Sequence, residues 1–236
     1  MTRPVLLDNI AHGALRLRTE RSAALGDARH FALALPAEFR HLQAHYPILF
    51  QLVEGEAGFQ PIALFGLEDG QNLFLTERGW DATVMPMAMQ REPFLIGHTS
   101  DDTLQLMIDL DSPRIVKPEE GDVGTALFLP HGAFGEHLEH VVKLMETLHV
   151  HAQYLPSFID ALKEHQLLEP CALDIQMPNG EQSRLTGLFS INEERLAALP
   201  GAALESLAQR GHLMPIYMQI ASLAQLPLLA ERASRR

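Results

Sequence analysis

One segment of the chain gathers side chains suited to binding. Trp80, Met85, Met87, Met89 and Phe94 offer large, adaptable apolar surface, and Arg91 sets a fixed cationic fork among them. Together they could hold a peptide or a small aromatic acid. A plainer account makes Trp80 and Phe94 core residues and pairs Arg91 with an acid such as Asp109, because the single Trp of a domain usually serves packing. Proton exchange is a second possibility: His12, Glu38, His45 and Asp109 are of the right types, and a carboxylate beside a histidine sets its tautomer and pKa. Nothing in their spacing brings these four together.

Other chemistries lack a framework. Of twelve histidines, the densest group is Glu136-His137-Leu138-Glu139-His140, followed by His149 and His151. Neither His-Glu-x-x-His nor His-x-x-Glu-His is present, so zinc is not indicated. An iron triad of His137, Glu139 and His212 lacks the β-barrel strand that such a motif leaves. The stretch reads as an exposed polar helix face with a Glu139–Lys143 pair. Cys171 is the only cysteine, which excludes an intrachain disulfide and a thiolate cluster; after Pro170 and before an apolar run it reads as a buried structural thiol. With no Gly-x-Ser-x-Gly elbow and no phosphate loop, neither a hydrolase nor a nucleotide enzyme is marked. No metal and no cofactor is expected.

Charge narrows the partners further. Eighteen basic residues against 30 acidic ones leave a net charge of -12, which repels phosphate backbones and anionic lipid. Nucleic acid and membranes are therefore poor partners. Basic residues cluster only near the ends, at Arg16, Arg18 and Arg21 and at Arg232, Arg235 and Arg236, where they read as solvated. The start lacks the apolar run of a secretory signal, and no stretch approaches the roughly 20 apolar residues that span a bilayer. A cytoplasmic protein is expected.

The elements that must position these residues follow from periodicity. Short apolar runs at 48–53, 62–67, 73–75 and 104–110, and a crude alternation over 12–18, read as strands. Pro36 to His45 reads as a short helix and Pro86 to Arg91 as one helical turn ended by Pro93. From Ala133 the spacing changes to three and four: Phe134, Leu138, Val141, Met145, Leu148, Ala152 and Leu155 lie on one side of a long helix. Pro156 should kink or split it, with Phe158, Ile159 and Leu162 continuing the apolar side. Strands at 172–177 and 184–190 flank a Pro178-Asn179-Gly180 turn. Ser190 and Glu193 have capping-box spacing, Pro200-Gly201 and Gly211 read as helix stops, and the last helix carries Leu213, Ile216, Tyr217, Ile220 and Leu223. The result is an α+β chain: a strand-rich first half, a long kinked helix, a small hairpin and C-terminal helices. It reads as a single domain over 1–236, with lobes at 1–130 and 131–236 as the alternative division.

Glu38-Phe39 with Tyr46-Pro47-Ile48, then Ala63-Leu64-Phe65-Gly66-Leu67, Asn72-Leu73-Phe74, Trp80, Pro86, Arg91, Pro93-Phe94 and Ile108-Asp109 carry a resemblance. Later come Gly187-Leu188-Phe189, Gly211-His212-Leu213, Ile216-Tyr217 and Ser222-Leu223. By these motifs the chain resembles the SapC-like protein family of Gram-negative bacteria nearly from end to end, departing from its pattern at Val84 and Gln90. The peptide-transporter permease that shares the name is excluded, since a permease needs several apolar helices. The resemblance implies a family named from a surface-array locus, often encoded beside TonB-dependent receptors, flavin-dependent tryptophan-halogenase-like proteins and cupin-like proteins. The leading expectation is a non-catalytic binding or accessory protein for a peptide, a protein partner or a small aromatic acid. Its contacts are placed on Trp80, Arg91, Phe94, Asp109 and Glu38. The alternatives are an enzyme or subunit partnering a halogenase-like flavoprotein, and an assembly component of the cell surface.

Overall fold

The computed structural model describes residues 3–53, 58–98, 103–176 and 182–235. The expected turn Pro178-Asn179-Gly180 lies outside them. In chain order, β1 (Pro4–Leu6), β2 (Arg16–Leu17) and β3 (Phe31–Leu33) are short. A 3-10 turn at Pro36–Glu38 leads into α1 (Phe39–Leu42), where Pro36 presets the entering φ and the Glu38 carboxylate accepts the Leu35 amide at 3.1 Å. β4 (Ile48–Val53) and β5 (Gly58–Leu64) take up the Pro-bounded apolar runs. A small hairpin, β6 (Leu75–Thr76) with β7 (Gly79–Trp80), precedes the single turn α2 (Met87–Gln90). Then follow β8 (Phe94–His98), β9 (Leu104–Asp109), β10 (Ile115–Val116), β11 (Thr125–Ala126) and the long α3 (Glu136–Glu164). The hairpin partners β12 (Leu168–Gln176) and β13 (Gln182–Ile191) lead to α4 (Glu193–Ala197), α5 (Gly201–Gln209), α6 (Leu213–Ser222) and α7 (Gln225–Ser234). The fold is α+β, with antiparallel sheets and a helical C-terminal part.

Two units are each assembled from separated stretches: residues 1–28, 75–81 and 87–150 in the first, and 29–74, 82–86 and 151–236 in the second. The first holds the sheets β1-β9-β8 and β10-β2-β11. On β8–β9, Phe94 faces Ile108 and Ile96 faces Leu106, so these four share one side of the pleat. Leu138, Val141, Met145 and Leu148 of α3 are buried, as their spacing requires. Two residues depart from that expectation: Ala152 is exposed, and Phe134 precedes the helix, bridges Phe128 and stays 44% exposed.

The second unit is built on the sheet β12-β13-β4-β5-β3. Pro170 lies on its edge strand β12, where the missing amide hydrogen interrupts no ladder. Pro61 sits in the middle of the sheet but opposite Phe50, in the β4–β5 pair that exchanges no hydrogen bonds, and its carbonyl accepts the Ala34 amide at 3.0 Å. α3 runs unbroken through Pro156 instead of splitting there. Pro156 is on the exposed side, so the carbonyl it leaves without a donor, on exposed Ala152, meets water.

Two further local expectations are corrected. Ser190 is buried in β13 and does not cap; Asn192 caps α4, its side chain accepting the Arg195 amide at 2.7 Å. Pro200-Gly201 opens α5 as well as following α4, because proline's fixed φ suits a helix start. A third concerns length: among the described residues Leu213–Ser234 is a 22-residue stretch of mean hydropathy 1.4, enough by length and composition to cross a membrane. In the fold it is two helices, α6 and α7, and Gln219 and Ser222 of α6 are fully buried.

Candidate functional site

The residues selected from the sequence fall into local structural duties. Phe94 is 0% exposed, and its amide and carbonyl are both used by Arg91, whose guanidinium Nη1 donates to the Phe94 carbonyl at 2.6 Å. Asp109 lies next to them, its amide bonded to the Pro93 carbonyl and its carboxylate accepting the amides of Arg3 (2.8 Å) and Asp111 (3.1 Å). Arg91, Phe94 and Asp109 thus converge as a brace at the β8–β9 corner. Trp80 is half-buried at the end of the small hairpin, opposite Leu75. Glu38 belongs to the second unit and is 7% exposed, committed to the turn before α1. Among the acid–base candidates, His12 Nδ1 accepts the Asp8 amide at 3.0 Å and His45 Nε2 meets Thr83 Oγ1 at 2.9 Å. Each is tied into its own neighbourhood.

Beside that brace the first unit opens a groove. The pleat side that is sealed at Phe94 and Ile108, each 0% exposed, continues through Ile96 and Leu106 to Leu104, which is 42% exposed. Val142, Met145 and Glu146 of α3, spaced three and four apart, form the facing wall, and Phe134 adds an aromatic edge. About 280 Å³ lies between them. Among the described residues Glu146 is the charged group in this lining, and Gln105 is its other polar member. Of this lining the expected α3 periodicity had selected Met145 and Phe134, and not Val142 or Glu146.

A polar cluster in the second unit was not found from sequence. Tyr154 Oη meets His212 Nδ1 in a short hydrogen bond, and Ser157 Oγ lies 3.5 Å from His212 Nε2. Arg210 Nη2 donates to Ser157 Oγ at 3.3 Å, while Tyr154 Oη donates to the Arg210 carbonyl at 3.3 Å. His212 is 0% exposed, and its burial, together with nearby Arg210, holds the imidazole below the ordinary histidine value. Burial likewise raises Tyr154. The available clue was spacing: Tyr154 and Ser157, three apart on a helix, share a side.

Elsewhere the first unit buries an ion pair. Arg114 Nη2 binds both carboxylate oxygens of Asp27 at 2.6 Å, and Arg21 Nη1 reaches the same carboxylate at 3.2 Å and the Met89 carbonyl at 3.0 Å. His137, expected on an exposed face, is half-buried; its burial, His140 and Arg21 depress its pKa. No group of three or more His, Cys, Asp or Glu residues converges on a metal position among the described residues. Cys171 is half-buried where a fully buried thiol was expected, and burial and Glu169 push its thiol up, away from thiolate reactivity. The SapC family model matches residues 7–229. Comparison with curated proteins and with solved structures gives no match.

Proposed function

The chain belongs to the SapC family, and from that premise we propose a binding or accessory protein whose groove takes an extended, apolar and basic segment of a partner polypeptide. The carrying observation is the inward side of β8–β9, which runs from 0% exposed at Phe94 and Ile108 to 42% at Leu104 beside a helix that does not cover it. Covering such surface contributes about 25 cal/mol per Å² of transfer free energy, against which the ordering of the bound segment counts.

A polypeptide suits the groove because β8 ends its sheet among the described residues. The Asp109 amide bonds the Pro93 carbonyl, a register that turns the amide and carbonyl of Ile96 toward the open edge. An added strand can pair there while its alternate side chains enter the groove. Basic character follows from Glu146 in the lining and from a net charge of -12. A small aromatic acid suits this lining less well, since Glu146 repels its carboxylate.

Selection of a phage-displayed random peptide library against the whole protein tests the reading. Recovered peptides are expected to alternate apolar residues with Lys or Arg. Leu104→Lys, at an exposed position, should weaken them at least tenfold, about 1.4 kcal/mol, with the melting temperature kept. Selection without a common pattern, or binding indifferent to Leu104→Lys, would sink the proposal.

A further inference from the structure

We propose that Ser157, His212, Tyr154 and Arg210 form a second site, an esterase-like nucleophile for small, unhindered carboxylic esters, independent of the groove. The hydrogens of this cluster can be shared around a closed ring. Tyr154 has one hydroxyl hydrogen and two partners, the Arg210 carbonyl at 3.3 Å and His212 Nδ1; we assign it to the carbonyl, which can only accept, so that the phenol oxygen accepts from Nδ1–H and Nε2 is left as a lone pair. That lone pair faces Ser157 Oγ at 3.5 Å. The oxygen of Ser157 accepts from Arg210 Nη2 at 3.3 Å, so its own hydrogen is available to Nε2. The ring closes with each donor used once: guanidinium to hydroxyl, hydroxyl to imidazole, imidazole to phenol, phenol to the carbonyl of the same arginine.

This is the arrangement a serine nucleophile needs: a base within reach, and a third group holding the base in one tautomer. Burial separates the roles. The imidazole is 0% exposed, and Ser157 is on the exposed side of α3, open to a substrate. The local fold places the base: Gly211, at φ 73°, turns the chain out of α5 so that the following residue, His212, stands just ahead of α6 with its ring against Tyr154. Its depressed pKa, from burial first and Arg210 second, keeps it unprotonated at neutral pH.

In the reaction, Ser157 Oγ attacks the acyl carbon while its proton passes to Nε2. The tetrahedral oxyanion forms beside the Arg210 guanidinium, then collapses to expel the alcohol, which takes the proton from Nε2. A water molecule attacks the acyl-serine, giving its proton to Nε2. The carboxylic acid leaves and the proton returns to Ser157 Oγ. Ser157 and His212 are catalytic residues here, and Tyr154 is a positioning residue.

The whole protein is treated with an alkyl fluorophosphonate and digested for mass spectrometry, and p-nitrophenyl acetate hydrolysis is followed against pH. A single adduct on Ser157 is expected, together with hydrolysis that Ser157→Ala reduces to the uncatalysed rate. His212→Gln should lower the rate by about 10² or more. Tyr154→Phe should displace the acid limb of the pH–rate profile. Ser157→Ala alters only an exposed hydroxyl, so the test stands even if His212→Gln does not fold. No adduct on Ser157, hydrolysis unaffected by Ser157→Ala, or full labelling in folded His212→Gln would each overturn the proposal.

Discussion

At Asp27 a carboxylate with no exposure is surrounded by donors: both oxygens take Arg114, Arg21 approaches at 3.2 Å and the Ser22 amide donates at 2.9 Å. One nitrogen serves both oxygens, and it is the extra hydrogen bonds to the carboxylate that let such a pair recover its desolvation cost. Removing one partner leaves the other charged and dry. Asp27→Ala should lose about 3–5 kcal/mol in urea unfolding, and Asp27→Ala with Arg114→Met should lose less than the sum of the two single changes. Neither this pair nor the Tyr154–His212 contact was legible from sequence. The partners lie 87 and 58 positions apart, and periodicity reports only neighbours within a few residues. Trp80, Arg91 and Phe94 stood out in the sequence as contact residues, with packing and pairing as the plainer account; in the fold Phe94 is buried and half-buried Arg91 bonds its carbonyl, a contact within three residues.

Elements were more readable where one local signal decided them. β4 spans the expected 48–53, since proline and a change of polarity bound the run on both sides. The first half of α3 buries the residues that its spacing selected. The caps failed where two signals competed: Ser190 and Asn192 both suit a helix start, and β13 claimed the first. Least readable was the role of α6. β13 pairs with β4 at Leu188–Gln51 and Phe189–Phe50, and in that register Ile191 falls opposite Ile48. There the Gln219 amide stands between the strands, donating to the Ile48 carbonyl at 2.8 Å and accepting the Ile191 amide at 3.2 Å. Ser222 Oγ accepts the Ile48 amide at 2.9 Å. Gln219→Leu keeps the volume but orphans the buried Ile191 amide and leaves the Ile48 carbonyl with Ser222 Oγ at 3.5 Å, so a loss of about 1–3 kcal/mol is expected in chemical unfolding. A loss under about 0.5 kcal/mol would show that the strands can close on each other.

For the whole molecule, α+β class and family membership were legible because both depend on many weak local signals that add. The division into units was not, since each is stitched from stretches that are far apart in the chain. Acid sensitivity is a property at this scale. His137 and His212 both lie below the ordinary histidine value of 6.5 in the folded chain, so the unfolded chain binds more protons as pH falls. Their contribution is complete above about 6.5 and is lost as pH falls through the lowered folded values. The melting temperature should therefore drop on acidification below that point, and His212→Gln should flatten the drop; an unchanged slope would assign the sensitivity elsewhere.

The Gln219 amide also sets an order of events during synthesis. β4 and β13 both precede α6 in the chain, so the emerging chain holds both strands while the group that joins them at Ile48 and Ile191 is still unmade. The strands of the second unit's five-stranded sheet are then joined at Ile48 and Ile191 only once α6 has emerged, and until then its two open strand ends are what a nascent-chain chaperone would meet.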